Sequence, residues 1–221
     1  MLTLPDNPDP ILLRAARKGD REAWLALVAR HAPAVQATIQ ARLPGGEGIP
    51  EICQQVFERI HGQLFLVSEP NWFHLFCVRS TQAWLDQKGH HPERMPESGP
   101  DWMRRLSLGQ REAWLIHTRL DTEAPFPAHE YLGLPPEAYE ARWQSAESLR
   151  REAESKGLGT MPDGPGESFV LDLQKALASK LPPTPKGVQG WFARLPAVPA
   201  SLAFVLVLAV SAILAALMFQ R

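Results

Sequence analysis

The C-terminal end of the chain carries a segment that constrains the fold more than any other feature of the sequence. Residues 198–219 contain no charged side chain, and between Leu202 and Phe219 the only polar side chain is Ser211. At about 1.5 Å per residue, a helix of this length crosses roughly 30 Å, the thickness of a bilayer's hydrocarbon core. The segment therefore predicts a single transmembrane helix. A long helix buried in a protein core is the alternative interpretation.

The charges around this segment predict which side of the membrane carries the rest of the chain. Lys180, Lys186 and Arg194 precede the segment, and only Arg221 follows it. Since positively charged flanks tend to remain in the cytoplasm, we expect a tail anchor whose N-terminal head is cytoplasmic. Residues 1–10 show no basic region followed by an apolar core, so no secretory signal is predicted.

The head lacks the basic excess that is typical of a strongly DNA-binding domain. Residues 1–90 hold nine basic and nine acidic side chains, and residues 91–166 hold nine and thirteen. Residues 167–221 hold five and two. Because nucleic-acid-binding domains usually carry a positive patch, this distribution limits any hypothesis in which the head binds DNA tightly.

The pattern of apolar residues in the head predicts an all-α fold. Apolar side chains recur at three- and four-residue spacing between proline- and glycine-rich breaks, and no strand-like alternation persists. Asp20 is a good N-cap for the second helix, and Pro33 is expected to separate that helix from a third. The predicted helices cover residues 11–18, 20–32, 34–43, 50–60, 70–85, 106–120, 128–132 and 136–156.

Composition divides the head into two small helical domains. The first is predicted at residues 1–88 and the second at 104–156, with a linker at 89–103 that is rich in proline, glycine and histidine. Residues 157–197 form a second predicted linker, which leads to the transmembrane helix at 198–219.

The second linker contains a short amphipathic helix and a stiff proline-rich spacer. Phe169, Leu173, Leu177 and Leu181 repeat every four residues, and Pro182, Pro183 and Pro185 follow. Such a helix can bind a partner, lie on the membrane surface or pack against the head. The sequence leaves these three alternatives open.

Several stretches of the head occur in an order and spacing that are typical of one family. They are Leu12–Trp24, Glu51–Arg59, the pairs Trp72-Phe73 and Trp84-Leu85, Leu106 with Gln110-Arg111-Glu112, and Leu132-Gly133-Leu134-Pro135. Together, over about residues 10–155, they resemble the extracytoplasmic-function (ECF) sigma factors of bacterial RNA polymerase.

The resemblance implies partners and binding residues. The first domain would bind core RNA polymerase and open promoter DNA, and the second, a helix-turn-helix-like domain, would read the upstream promoter element. The polymerase-binding positions are Glu51, Gln54, Gln55 and Phe57. The DNA-binding positions are Trp72, Arg79, Trp84 and Lys88 in the first domain and Arg142, Gln144, Ser145, Arg150 and Arg151 in the second. The anchor would then lie in the bacterial inner membrane, where an anti-sigma factor or another membrane regulator is a further expected partner.

The chain departs from the family's pattern where the family contacts DNA. Neutral or acidic residues stand at positions that are usually basic or polar: Leu75, Val78, Ala83, Asp86, Gln87, Glu140 and Glu147. Each lost phosphate contact removes about one counterion-release unit, so two charge reversals on one helix cost much of the affinity that separates specific from non-specific binding. Pro125 and Pro127 also shorten or distort the first helix of the helix-turn-helix.

These departures support an alternative hypothesis, a membrane-tethered interaction protein with a sigma-like fold that no longer reads DNA. Trp72 and Trp84 suit a hydrophobic core as well as base stacking. Arg150 and Arg151, interleaved with glutamates, suit a solvated helix face with i,i+4 ion pairs as well as phosphate contacts.

No pattern in the sequence predicts an enzyme, a cofactor or a metal site. The chain has no phosphate-binding glycine loop, no Gly-x-Ser-x-Gly stretch and no His-Glu-x-x-His stretch. His117 and Asp121 can pair on a helix, but no nucleophile completes a site. Cys53 and Cys77 have neither disulfide nor zinc spacing, which suits a reducing compartment.

Overall fold

The computed structural model describes residues 7–46, 48–91, 99–120, 125–158 and 168–181. In this part of the chain the secondary structure is helical and no strand occurs, which confirms the all-α prediction. The α-helices are α1 (Asp9–Arg17), α2 (Arg21–Arg42), α3 (Ile49–Gly62), α4 (Phe73–Gln87), α5 (Asp101–Arg104), α6 (Leu108–Arg119), α7 (Ala128–Leu132), α8 (Pro136–Ser155) and α9 (Phe169–Lys180). Two 3₁₀ helices, Leu64–Leu66 and Pro70–Trp72, lie between α3 and α4.

The long helix α2 differs from its prediction. Its N-terminus is capped as expected, because the Asp20 side chain accepts a hydrogen bond from the backbone N–H of Ala23. The break expected at Pro33 is wrong, since the helix continues through it to Arg42. Val28 and Val35, on either side of Pro33, are both fully buried. The free energy gained by burying apolar residues on both sides exceeds the cost of the hydrogen bond that the proline cannot donate.

A first hydrophobic cluster joins α1, α3, α4 and α9 to α2, from Ala23 to Ile39. Its largest fully buried side chains include Leu13, Trp24, Leu27, Phe57 and Phe73. The three apolar residues of α9, namely Phe169, Leu173 and Leu177, are buried in the same cluster. Of the three alternatives for this amphipathic helix, the structure has the one in which it packs against the head.

A second cluster joins α5, α6, α7 and α8 to the C-terminal half of α2. Ala34, Ala37 and Ala41 of α2 lie in it together with residues of the later helices. The sequence pattern did not predict α5, whose four residues are too few to show a helical period. Its buried residues Trp102 and Met103 nevertheless belong to this cluster.

A helix-turn-helix arrangement is formed by α7, Gly133 and α8. Gly133 ends α7 with a φ of 63°, a left-handed conformation that favours glycine. A Cβ atom at this position would lie 3.4 Å from Cδ1 of Leu75, so the turn packs closely against α4. The predicted bounds of α7 agree with the structure, and the predicted start of α8 does too.

The two sets of helices form one compact unit that spans residues 1–183. Helix α2 contributes to both clusters and packs against α6, and the domain bounds 1–88 and 104–156 stay predictions. No helix within the described ranges is long and apolar enough to span a bilayer. The predicted transmembrane segment at 198–219 lies outside the described residues.

Candidate functional site

The residues predicted to bind polymerase divide between the surface and the core of the first cluster. Glu51 and Gln55 are exposed on α3, and Gln54 is half-buried. Nε2 of Gln54 donates a 2.8 Å hydrogen bond to Oε1 of Glu58. Phe57 is fully buried, with its ring centroid 6.1 Å from that of Trp24 in an edge-to-face arrangement. The sequence pattern thus grouped three surface residues with one that holds the helix in place from inside.

Helix α9 contacts the same region of α3. Nζ of Lys180 lies 2.6 Å from Oε1 of Glu58, the oxygen that also accepts from Gln54. The hydrogen bond from Lys180 is the main cause of the lowered pKa of Glu58. Nε2 of Gln174 donates to the backbone oxygen of Leu25 on α2 at 2.9 Å. These contacts fix α9 across α2 and α3.

The four DNA-binding positions of the first domain lie in two different environments. Trp72 is 62% exposed at the end of a 3₁₀ helix, and Arg79 is exposed on α4. Trp84 is 8% exposed and belongs to the first hydrophobic cluster. The ammonium group of Lys88 lies 5.5 Å from the centroid of the Trp84 ring, a cation–π distance. Trp72, Arg79 and Lys88 are therefore exposed, and Trp84 is not.

Trp72 and Arg79 line a cleft that the sequence did not predict. The cleft lies between α4 with the preceding 3₁₀ helix on one side and residues 125–136 on the other, and its volume is about 710 Å³. Nη2 of Arg79 lies 3.7 Å from the position that a Cβ atom of Gly133 would take. The face of α4 that carries Leu75 and Arg79 therefore faces the helix-turn-helix.

Buried polar residues lie next to this cleft. Nε2 of His31 lies 2.9 Å from Oδ2 of Asp9, and Nε of Arg30 lies 2.7 Å from Oδ1 of the same carboxylate. Burial alone would raise the pKa of Asp9, but the hydrogen bonds and charges of His31 and Arg30 hold it below its usual value. This network ties the start of α1 to the middle of α2.

His74 stands between this network and the cleft. Its ring stacks on Phe126 at 4.0 Å between centroids, and its Nε2 lies 4.0 Å from Oε2 of Glu130. Burial and the neighbouring His31 lower the pKa of His74 to about 4, so the ring is neutral at pH 7. Sequence reasoning missed His31 and His74; their positions among apolar residues of helical spacing were the available signal.

The predicted DNA-binding positions in the first half of α8 contact other protein groups. A guanidinium nitrogen of Arg142, Nη1, lies 2.9 Å from where a Cβ atom of Gly109 would be. Nε2 of Gln144 donates to Glu140 at 2.8 Å. Ser145 accepts a 2.8 Å hydrogen bond from Gln110, the residue that completes a capping box with Ser107 at the start of α6.

The two arginines at the end of α8 are held by acidic residues of the same helix. Nη2 of Arg150 lies 2.8 Å and Nε of Arg151 lies 2.9 Å from Oε1 of Glu147. Arg150 also pairs with Glu154. Hydrogen bonds from Arg150 are the main cause of the lowered pKa of Glu147, about 2. Glu147 therefore neutralises positive charge of Arg150 and Arg151. The sigma factors that the sequence resembles present cations to DNA in this region.

The stretch Gln110-Arg111-Glu112 supports the contact between the two clusters. Arg111 and Glu112 are 4% and 6% exposed. Nε2 of Gln82 on α4 donates to Oε1 of Glu112 on α6 at 2.9 Å. Burial raises the pKa of Glu112, although the Gln82 hydrogen bond and nearby arginines oppose this effect.

The described residues contain no group of three or more side chains that could hold a metal ion. Cys53 and Cys77 are free and buried, and burial raises the pKa of both thiols. Nδ1 of His117 lies 3.3 Å from Oη of Tyr139, while the proposed partner Asp121 lies outside the described residues.

Comparisons of the chain with protein-family models, with curated proteins and with solved structures found no match.

Proposed function

We propose that the chain is a membrane-tethered, sigma-factor-like regulator of transcription initiation that binds core RNA polymerase. The observation that carries this proposal is the presentation of α3. Glu51, Gln54 and Gln55 lie at the surface on a helix that Phe57 anchors in the first cluster. A polar surface on a rigid helix is suited to recognition by a large protein partner.

The membrane part of the proposal rests on residues 198–219, as a single-pass tail anchor in the bacterial inner membrane with the head in the cytoplasm. Such an anchor would keep the head near a membrane regulator, for instance an anti-sigma factor, and away from most of the chromosome. Activation would then require a change in that contact or release of the head.

One observation favours a second candidate, in which the protein binds polymerase or a regulator without reading DNA. Arg150 and Arg151 are both paired with Glu147, and Glu140 lies earlier on the same helix. Arginines that are already paired with carboxylates release fewer counterions when they contact phosphate. The affinity of α8 for DNA is therefore low in this conformation. The two candidates differ only in whether promoter DNA is a partner.

Capture of core polymerase by the full chain in lipid nanodiscs tests the proposal. The test variant is Glu51→Arg with Gln54→Ala, which changes two surface groups of α3. The matched control is Glu137→Arg with Gln144→Ala, which makes the same two changes on α8, where both residues are exposed. Circular dichroism checks folding, since a cation in the first turn of α3 opposes the helix dipole at a cost of about 0.3–1 kcal/mol.

We expect the wild type and the control to capture polymerase and the α3 variant to lose most of the capture. The captured enzyme is then used in run-off transcription from a pool of genomic promoters. Specific transcripts would support the initiation factor, and capture without transcripts would support the interaction protein. If the wild type captures no polymerase, the initiation factor is wrong, and of the second candidate only the binding of a regulator remains.

A further inference from the structure

We propose that the cleft between α4 and residues 125–136 binds a small organic anion, one with a flat apolar body and a single carboxylate or phosphate group. This inference does not depend on polymerase binding. It rests on the shape of the cleft, on two exposed side chains at its edge and on one unpartnered hydroxyl group beside it.

The size and lining of the cleft fit a ligand of this kind. Its volume of about 710 Å³ lies in the range of small-molecule sites, roughly 300–1,000 Å³. Leu75, Phe126 and Leu134 are among the apolar residues that line it, and they come from both sides. An apolar body would gain contacts with α4 and with the helix-turn-helix at the same time.

Trp72 supplies a flat surface for such a body. The side chain is 62% exposed although it is one of the largest apolar groups in the described part of the chain, and it lines the cleft. Aromatic rings favour offset-stacked contacts that remove apolar surface from water. A ring placed against the indole would bury it without moving the backbone.

Arg79 supplies the charge that selects an anion. The residue is exposed, lines the cleft and makes no hydrogen bond or ion pair with the described residues. Its guanidinium lies beside Gly133. Arginine binds carboxylate and phosphate through paired N–H groups. Glu130 also lines the cleft and repels anions, but it lies on the His74 side of the cleft, 4.0 Å from that ring.

The hydroxyl of Tyr131 is the independent observation that points to a ligand. It is buried and has no hydrogen-bond partner among the described residues. The Tyr131 ring centroid lies 5.4 Å from that of His74, a residue that lines the cleft and whose ring is contacted by backbone groups of Asn71 and Glu130. Buried polar atoms are nearly always hydrogen-bonded, so such atoms beside a cleft indicate a missing partner.

Isothermal titration of the full chain in nanodiscs with indole-3-carboxylate tests the inference, with empty nanodiscs as the blank. Indole-3-carboxamide has the same ring and nearly the same shape without the charge. We expect saturable binding of the carboxylate and about tenfold weaker binding of the amide.

Two exposed residues give variants with little risk to folding. Arg79→Gln is expected to weaken carboxylate binding about tenfold and to remove the preference over the amide, because only the charged ligand uses the guanidinium. Trp72→Ala is expected to weaken both ligands equally. Arg105→Gln, an exposed arginine outside the cleft, should bind like the wild type. The inference is wrong if binding does not saturate at millimolar ligand, if the amide binds as well as the carboxylate, or if neither cleft variant changes the affinity.

Discussion

The indole Nε1 of Trp114 donates a 3.0 Å hydrogen bond to Oε2 of Glu147, which joins α6 to α8 inside the second cluster. The same carboxylate accepts hydrogen bonds from Arg150 and Arg151. Glu147 thus stabilises the packing of the two helices and also reduces the positive charge that α8 presents. Both effects depend on the ionised carboxylate.

Replacing Glu147 with Gln is expected to lower stability and raise affinity for DNA. The loss of charge-assisted hydrogen bonds costs about 1 kcal/mol, because the group is partly exposed. Arg150 stays paired with Glu154, so the change frees Arg151 and adds about one counterion to the salt dependence of binding to duplex DNA. Urea denaturation measures the stability, and fluorescence anisotropy at several salt concentrations measures the binding.

The exposed Glu137 provides a matched control for this prediction. The change Glu137→Gln also removes one negative charge from α8 but breaks no ion pair with the described arginines. If it alters the salt dependence as much as Glu147→Gln does, general charge rather than the release of Arg151 is responsible.

Helix α9 is expected to be part of the cooperative core. Leu173 is 4% exposed in the first cluster, and Leu173→Ala should reduce the free energy of unfolding by about 2–4 kcal/mol. Leu171 lies on the same helix but is 58% exposed, so Leu171→Ala should change it by less than about 0.5 kcal/mol. Equal effects of the two substitutions in chemical denaturation would mean that α9 is not docked in solution.

Stability should fall as the pH decreases from about 6.5 towards 4, partly because of His74. Burial lowers the pKa of His74 in the folded protein to about 4, whereas the unfolded chain has the ordinary value near 6.5. As the pH falls, the unfolded state therefore takes up a proton on His74 before the folded state does. The free energy of unfolding has its full value above pH 6.5 and decreases between pH 6.5 and 4, by about 3 kcal/mol in total.

Comparison of the wild type with His74→Gln isolates this effect, since the half-buried His61 contributes with the same sign. Denaturation at pH 7 and pH 5 should show a smaller pH dependence in the variant. An NMR titration in which the His74 ring protonates near pH 6.5 would contradict the prediction directly.

Pro33 in α2 offers a substitution that is expected to stabilise the protein. The proline stands inside the helix and donates no hydrogen bond, which usually costs about 3 kcal/mol. Part of this cost is offset because proline restricts the unfolded chain, by about 0.4–1 kcal/mol. Pro33→Ala should therefore raise the free energy of unfolding by about 2–3 kcal/mol in thermal or urea denaturation. A loss of stability would show that the core requires a bend at Pro33.

Short sequence motifs predicted the ends of helices well where the structure that a motif forms depends only on neighbouring residues. The Asp20 cap and the Gly133 turn were read correctly because capping geometry and positive φ depend on a few neighbouring residues. Pro33 was misread because its effect depends on tertiary burial. Helix α5 was missed because four residues carry no period.

The candidate sites were harder to predict, because surface exposure is decided by the fold. Phe57 and Trp84 stand at positions that the family resemblance assigns to binding, yet both are buried. The cleft brings Trp72 and Arg79 next to Phe126 and Leu134 from a distant part of the chain. No local pattern links residues so far apart in sequence.

Helix α2 belongs to both hydrophobic clusters. Its length of about 33 Å carries Leu27 and Val28 in one cluster and Ala34, Ala37 and Ala41 in the other. The two halves of the head therefore cannot swing apart on the segment between α4 and α5 while α2 stays straight. Since α9 packs on the same helix, a pull on α9 acts first on α2. Because both clusters pack on α2, such a force would act on both clusters together.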